Sequence, residues 1–203
     1  MEARLPREEE VDDEVQELSP FIVDATGHSG YVATSTLSGT RIRTNLKDLG
    51  ASISVVTSEF MEDTGAHDAA TLLAFVANAE VGGFQGNFSG GQAGNTGRIS
   101  QMEERSNPQF NQRIRGLAAA DLTRNMFLTD IPFDSYNTDR VTVSRGPNSL
   151  LFGIGSPVGV IDSALKTAMH SRDFGEVKVR FDNYGSMRTE LDLNRSIVDK
   201  RVA

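Results

Sequence analysis

From Gly175 to Ser196 the chain alternates apolar and polar residues around a single turn. Val177, Val179 and Phe181 fall on one face of an extended strand, and Lys178, Arg180 and Asp182 on the other. The reason is geometric: successive strand side chains point to opposite faces. After the turn signal Asn183-Tyr184-Gly185-Ser186, Thr189, Leu191 and Leu193 alternate with Arg188, Glu190, Asp192 and Asn194. The stretch predicts a β-hairpin with one apolar and one charged face. Alternation in segments of about ten residues is the pattern of transmembrane barrel strands, apolar outward and polar inward. A soluble hairpin gives the same pattern, so alternation alone does not choose. Asp199 to Ala203 reads as the opening of a further strand.

Charge divides the remainder. The 203 residues carry a net charge of −8. Residues 1–24 hold nine acids and two bases, net −7, which leaves the rest close to neutral. A nucleic-acid binder needs a basic face, so nucleic acid is not an expected partner. An acidic leader suits a solvated, flexible arm that docks to a basic partner. Inside it, Glu14 to Val23 (EVQELSPFIV) mixes β-formers with a Pro and reads either as a docking strand or as a plain linker. There are no cysteines, hence no disulfides and no thiolate metal sites. No run of about 18 apolar residues is present to form a transmembrane helix, and Met1 to Glu10 lacks the hydrophobic core of a secretory signal.

Between the arm and the hairpin the pattern is mixed. Residues 34–50 read as extended. Residues 52–65 begin as a strand and continue as a helix, with Thr57 or Ser58 as N-cap and Gly65 as the stop. Residues 66–79 read as a second helix, with Leu72, Leu73, Phe75 and Val76 on its apolar face and Asp68 near its positive end. Glu80 to Phe110 contains seven glycines and reads as a long loop. Strands are expected at 111–117 (Ile114 inward), 124–134, 139–146 (half-buried through Val141 and Val143) and 158–162. Strands and helices without strict alternation indicate an α+β fold.

Arg145 to Asp162 (RGPNSLLFGIGSPVGVID) raises the possibility of a phosphate-cradling loop. The dinucleotide fingerprint needs G-x-G-x-x-G after a strand and before a helix. Here Gly153, Gly155 and Gly159 are spaced G-x-G-x-x-x-G, Pro157 intervenes, and a strand follows. Locally the stretch is a turn between strands: Pro147 cannot extend a ladder, and the glycines permit tight turning. His28, His67 and His170 include no pair at helical metal-ligand spacing. Asp130 is the best single carboxylate, with a structural role on turn amides. No nucleophile–base arrangement is visible. The expectation is no enzyme, no metal and no cofactor.

The ordered motifs have a family resemblance. Asp139 to Asp162 resembles the end of the plug domain of TonB-dependent outer-membrane receptors, with Arg145, Gly146, Pro147, Gly153, Gly155, Gly159, Val160 and Ile161 matching. Ile114-Arg115-Gly116 and Leu128 to Pro132, which includes Asp130, match plug strands in the right order. Residues 53–78 resemble the family's strand and paired helices. Val158 stands where a Gly is usual, and Asp162 where Asn is common.

The resemblance implies a plug domain with a small mixed β-sheet and two or more short helices. The first antiparallel strands of a transmembrane β-barrel would follow. The implied organisation is an arm (1–24), a plug (25–168) and barrel strands (169–203). A complete barrel of about 22 strands is not contained in this sequence, so the chain is expected to be a fragment that needs its own or a missing barrel as partner. Glu14, Val15, Gln16, Glu17, Leu18, Ser19, Pro20 and Phe21 fall at the position of the TonB box. That segment would add a strand to TonB, itself coupled to an inner-membrane energising complex. Localisation would be the outer membrane, plug inside the barrel and arm in the periplasm. The cargo would be a scarce small-molecule nutrient: a siderophore, cobalamin, carbohydrate or similar. Phe84, Gln85, Asn87 and Phe88 are candidate substrate contacts. The alternative is a barrel-less periplasmic module built for protein contacts.

Overall fold

The computed structural model describes residues 28–36, 43–82, 87, 112–147, 156–169 and 173–196. Thirteen strands and two α-helices are found among them. Two short ribbons come first, β1 (His28–Ser29) with β2 (Val32–Ala33), and β3 (Ser35–Thr36) with β4 (Thr44–Asn45). The centre is a five-stranded mixed sheet. Its members are β5 (Ser52–Thr57), β8 (Asp121–Arg124), β9 (Phe127–Leu128), β10 (Thr138–Arg145) and β11 (Gly159–Leu165), in the order β5-β10-β11-β8-β9. Only the β11–β8 pair is parallel. The architecture is α+β, as the sequence implies.

The two helices lie between β5 and the ribbon of β6 (Ala79–Val81) and β7 (Gln112–Ile114). Helix α1 (Ser58–Thr64) starts where Thr57 Oγ1 accepts the Phe60 amide and stops where Gly65 turns left-handed at φ 68°. Both ends are those the sequence predicts, and both follow from capping chemistry. Helix α2 (Ala69–Leu73) is shorter than expected. Asp68 and Thr71 form a reciprocal capping box at its start. The chain then leaves the helix through residues 74–78, so that Ala79 and Val81 can pair with β7. As a consequence Phe75, expected on the apolar face, stays exposed, while Leu72, Leu73 and Val76 are buried.

The core sits between these helices and one face of the sheet. Val141 and Val143 on β10, Ile161 on β11 and Leu122 on β8 meet Met61, Leu72, Leu73, Val81 and Ile114. Three strand expectations need correcting: the strand expected at 111–117 spans only Gln112–Ile114 before Arg115 and Gly116 turn left-handed. β10 is buried on both faces, since Thr142 and Ser144 are as hidden as the valines; it is a central strand, not a half-buried one. Residues 124–134 are not one strand. Asn125 and Met126 take positive φ angles and turn the chain from β8 into β9. Buried Asp162 holds that turn, accepting the Met126 amide at 2.7 Å and the Thr123 hydroxyl at 2.6 Å.

The hairpin forms as read, from β12 (Phe174–Phe181) and β13 (Met187–Asn194) in continuous antiparallel register. Asp182 closes its turn by accepting the Tyr184 and Ser186 amides, and Gly185 takes the left-handed position.

Candidate functional site

The hairpin is bound to the central domain through one face only. Lys178 reaches Glu62 at the end of α1, 2.5 Å away, and Arg188 reaches Asp134 at 2.6 Å. Arg188 also pairs with Glu190 beside it. At the hairpin base the polarity reverses: Lys166, just after β11, pairs with Asp192 at 3.0 Å. The Tyr136 hydroxyl donates to the Leu191 carbonyl at 2.7 Å, and the Asn194 carboxamide takes both backbone groups of Met169. A groove of about 600 Å³ opens beside this base, lined by Arg43, Arg140, Lys166, Asp192, Phe174 and Leu193 among others.

The other face is apolar and open. Val177 is 66% exposed and Phe181 73%, and Val179, Met187, Leu191 and Leu193 are also exposed. A hairpin that buried its apolar face on the domain would have the opposite orientation. This one turns its charges inward and its hydrocarbon outward, the arrangement of a barrel wall seen from lumen and lipid. Among the described residues no helix is long and apolar enough to cross a membrane. No group of metal-ligating side chains occurs among the described residues.

Asp134 gives the seam a pH dependence. Burial pushes its carboxyl upward, but the Arg188 hydrogen bond, the Tyr136 amide and the nearby positive charge outweigh that and hold it below the usual carboxylate range. A depressed folded-state value means a stabilising contribution that is complete above the unfolded value of about 3.9 and lost as pH falls through the folded one. An acid titration of hairpin amide exchange should therefore show protection falling below about pH 4. The Asp134→Asn variant should show a smaller step, the remainder belonging to Asp182, whose carboxyl the Ser186 and Tyr184 amides hold low in the hairpin turn. An identical step in both would assign it to another group.

The motif residues resolve into structural parts. Arg145 ends β10 with its side chain buried, Nη1 donating to Ser54 Oγ at 2.8 Å and Nη2 to the Ala77 carbonyl at 2.6 Å. Its Nε finds no partner among the described residues. Burial, and secondarily the charge of Arg115, lower its pKa. Gly146 follows at φ 99°, and its amide donates to the Val158 carbonyl, so the chain leaves the sheet before Pro147. Gly159 pairs with Arg145, and a Cβ there would lie far inside contact distance of the Ser144 carbonyl. Arg115 and Gly116 are consecutive left-handed residues that turn the chain after β7; the Arg115 amide donates to the Asn78 carbonyl.

Asp130 is exposed, and the adjacent Ile131 amide donates to Thr129 Oγ1. Asn87 is exposed; its Oδ1 accepts the Val81 amide at 2.7 Å and its Nδ2 donates to the Ala79 carbonyl. These two bonds complete the edge of β6. Residues 14–21, Phe84, Gln85, Phe88, Gly153 and Gly155 lie outside the described residues.

Sequence reading missed three anchors. Buried Gln112 mimics a strand, bonding both backbone groups of Ala120; Asp162 fixes the β8–β9 turn; Tyr136 ties the domain to β13. Each looks like an ordinary polar residue in sequence, and only the partner gives it a role.

A mixed sheet with short helices, joined to a hairpin that faces it with charge and turns hydrocarbon outward, is a plug followed by barrel strands. The match to known proteins agrees. Residues 45–160, more than half of the chain, match the TonB-dependent receptor plug domain model. The chain belongs to that family. It is 27% identical over 165 residues to the metal-pseudopaline receptor CntO of Pseudomonas aeruginosa, an alignment covering 81% of this chain and 21% of that receptor. Its fold is similar to the alcaligin outer-membrane receptor FauA of Bordetella pertussis (TM-score 0.67, 17% identity, 84% of this chain and 28% of that one). It is also similar to the ferripyoverdine receptor of P. aeruginosa (TM-score 0.65, 20% identity, 84% and 21%). The chain thus spans about a fifth of the length of the curated relative it matches.

Proposed function

We propose that this chain is the plug and first wall strands of an outer-membrane receptor that gates energy-coupled import of a small-molecule nutrient. The observation that carries the reading is the hairpin seam. Ion pairs and hydrogen bonds, rather than apolar packing, attach the wall to the plug. A polar seam can break and re-form in water at small cost, because exposed ion pairs contribute only about 0–1 kcal/mol each. That suits a plug that must shift inside its barrel during transport.

The relatives' descriptions narrow the cargo, since two of them name metal-loaded ligands, metal-pseudopaline and ferripyoverdine. A metal-carrying small molecule is the substrate class we assign. Phe84, Gln85 and Phe88 remain candidate contacts for it. Asn87 stays in that set, its carboxamide held at the edge of β6 with one Nδ2 hydrogen and one Oδ1 lone pair left over.

Coupling would run through residues 14–21, which would add a strand to TonB by main-chain hydrogen bonds. Leu18→Pro deletes an amide donor and restricts the strand. The variant receptor should bind the purified periplasmic domain of TonB at least about tenfold more weakly, a change of about 1.4 kcal/mol, and should lose uptake while still binding substrate. Unchanged TonB affinity would remove residues 14–21 from the docking role.

A further inference from the structure

Two large apolar side chains are exposed at the edge of the central sheet opposite β5. Phe127, on edge strand β9, is 77% exposed, and Ile131, four residues on, is 58% exposed. Both lie on the helix side of the sheet. Phe127 is the cross-strand partner of Arg124, and Arg124 lines a small pocket together with Ile131, Leu72, Leu122 and Ile161. The segment is fastened to its neighbours. Asp162 holds the β8–β9 turn, Asn125 Oδ1 accepts the Leu165 amide at 2.9 Å, and the Asn125 amide donates to the Ser163 carbonyl. An edge strand that offers rigid hydrocarbon to solvent calls for a cover.

We propose that this edge is the seat of the third wall strand, whose opening the sequence places at Asp199 to Ala203, and that the contact there is apolar where the hairpin seam is polar. The proposal rests on β12 and β13 being wall strands.

The order of contacts gives the direction. Across the sheet the strands run β5, β10, β11, β8, β9. β12 meets α1, which leads out of β5, through Lys178 and Glu62. β13 meets the entry to β10 through Arg188 with Asp134 and through Tyr136, and the exit of β11 through Asp192 with Lys166. Each step along the wall is thus a step across the sheet, and neighbouring strands in either are about 4.7–4.9 Å apart. The next wall strand falls over β8 and β9. Height along the wall agrees. Asn125, two residues before Phe127, lines the same groove as Leu193 and Asn194 at the end of β13, where the next antiparallel strand starts. The plug is then attached in two ways. Screening or protonation loosens the ion pairs of the seam, whereas hydrocarbon contact at β9 survives both. A force that parts the seam leaves the plug hinged on the β9 edge.

The test uses the complete receptor in phospholipid bilayers, with cysteines introduced on a background free of others. Phe127→Cys should react with a water-soluble maleimide about tenfold more slowly than Tyr184→Cys in the exposed hairpin turn, because it reacts only when the seat opens. Raising NaCl from about 0.1 to about 1 M shortens the screening length from about 10 to about 3 Å. Ser135→Cys, between Asp134 and Tyr136 in the seam, should then label several-fold faster, and Phe127→Cys no faster. Oxidised against single cysteines placed in turn from Asp199 to Ala203, Phe127→Cys should bridge alternate positions only, since successive strand residues face opposite sides. Ile131→Cys repeats both readings with an independent substitution in the same patch. Labelling of Phe127→Cys and Ile131→Cys as fast as Tyr184→Cys, or bridging at no position, overturns the seat. Salt acceleration at Phe127→Cys equal to that at Ser135→Cys overturns the apolar hinge by making the contact ionic. Val179→Cys reacting as fast as Tyr184→Cys sinks the wall reading itself, so the two failures are told apart.

Discussion

Replacing Gly159 by alanine is expected to destabilise the chain by about 2–6 kcal/mol, a large share of the roughly 5–15 kcal/mol that holds an ordinary domain folded. Two causes add. Gly159 has φ 152°, a conformation L residues rarely adopt, and an added Cβ would drive into the Ser144 carbonyl of the paired strand. That carbonyl is backbone in the middle of a buried sheet, so no side chain can swing aside. Relief would require β10 and β11 to separate at Arg145–Gly159, the register point that holds the Arg145-Gly146-Pro147 corner. Urea unfolding of the chain and its variant would measure the loss. Gly185→Ala is the comparison: it has positive φ but nothing within 4 Å of an added Cβ, so its cost should be confined to backbone strain. Equal losses at both positions would mean that the close approach at Gly159 contributes nothing.

Arg145→Ala should cost about 2–4 kcal/mol for a different reason. The guanidinium ties the end of β10 to Ser54 on β5 and to the Ala77 carbonyl after α2, positions 91 and 68 residues away in sequence. Truncation strands that carbonyl and opens the space the side chain's stem occupied. The effect is moderated because the charge is itself partly desolvated and its Nε has no partner among the described residues. Lysine should not rescue, since one ammonium cannot reproduce a planar fork spanning two acceptors. Full stability in Arg145→Lys would show that charge, not the fork, is what the corner requires.

These two residues show how far a sequence reading reaches. The Arg-Gly-Pro corner, the Thr57 and Gly65 caps of α1 and the two-faced hairpin are local patterns, written within a few residues and therefore readable. What Arg145 binds is not local, and no spacing rule points from position 145 to 54 or 77. The same limit explains the misreadings. Residues 124–134 look like one strand because nothing in Asn125-Met126 demands a turn until Asp162, arriving from β11, pins it. α2 is read too long because its apolar run continues to Val76, while pairing of β6 with β7 ends it at Leu73. The hairpin's alternation shows that its faces differ, but which face meets the plug is settled only by Glu62, Asp134 and Lys166.

The central claim is that β12 and β13 are wall strands whose apolar face meets lipid. The direct measurement is collision accessibility of single nitroxides in the receptor reconstituted into phospholipid bilayers, at Val179 and Leu191 on one face and Arg180 and Glu190 on the other. The chain has no native cysteine to interfere. The account predicts high accessibility to dissolved oxygen and low accessibility to a polar nickel chelate at Val179 and Leu191, with oxygen accessibility lower at Arg180 and Glu190, on the face turned towards the plug. Val179 and Leu191 meeting the nickel chelate as freely as the exposed turn residue Tyr184 would place the apolar face in water and contradict the account.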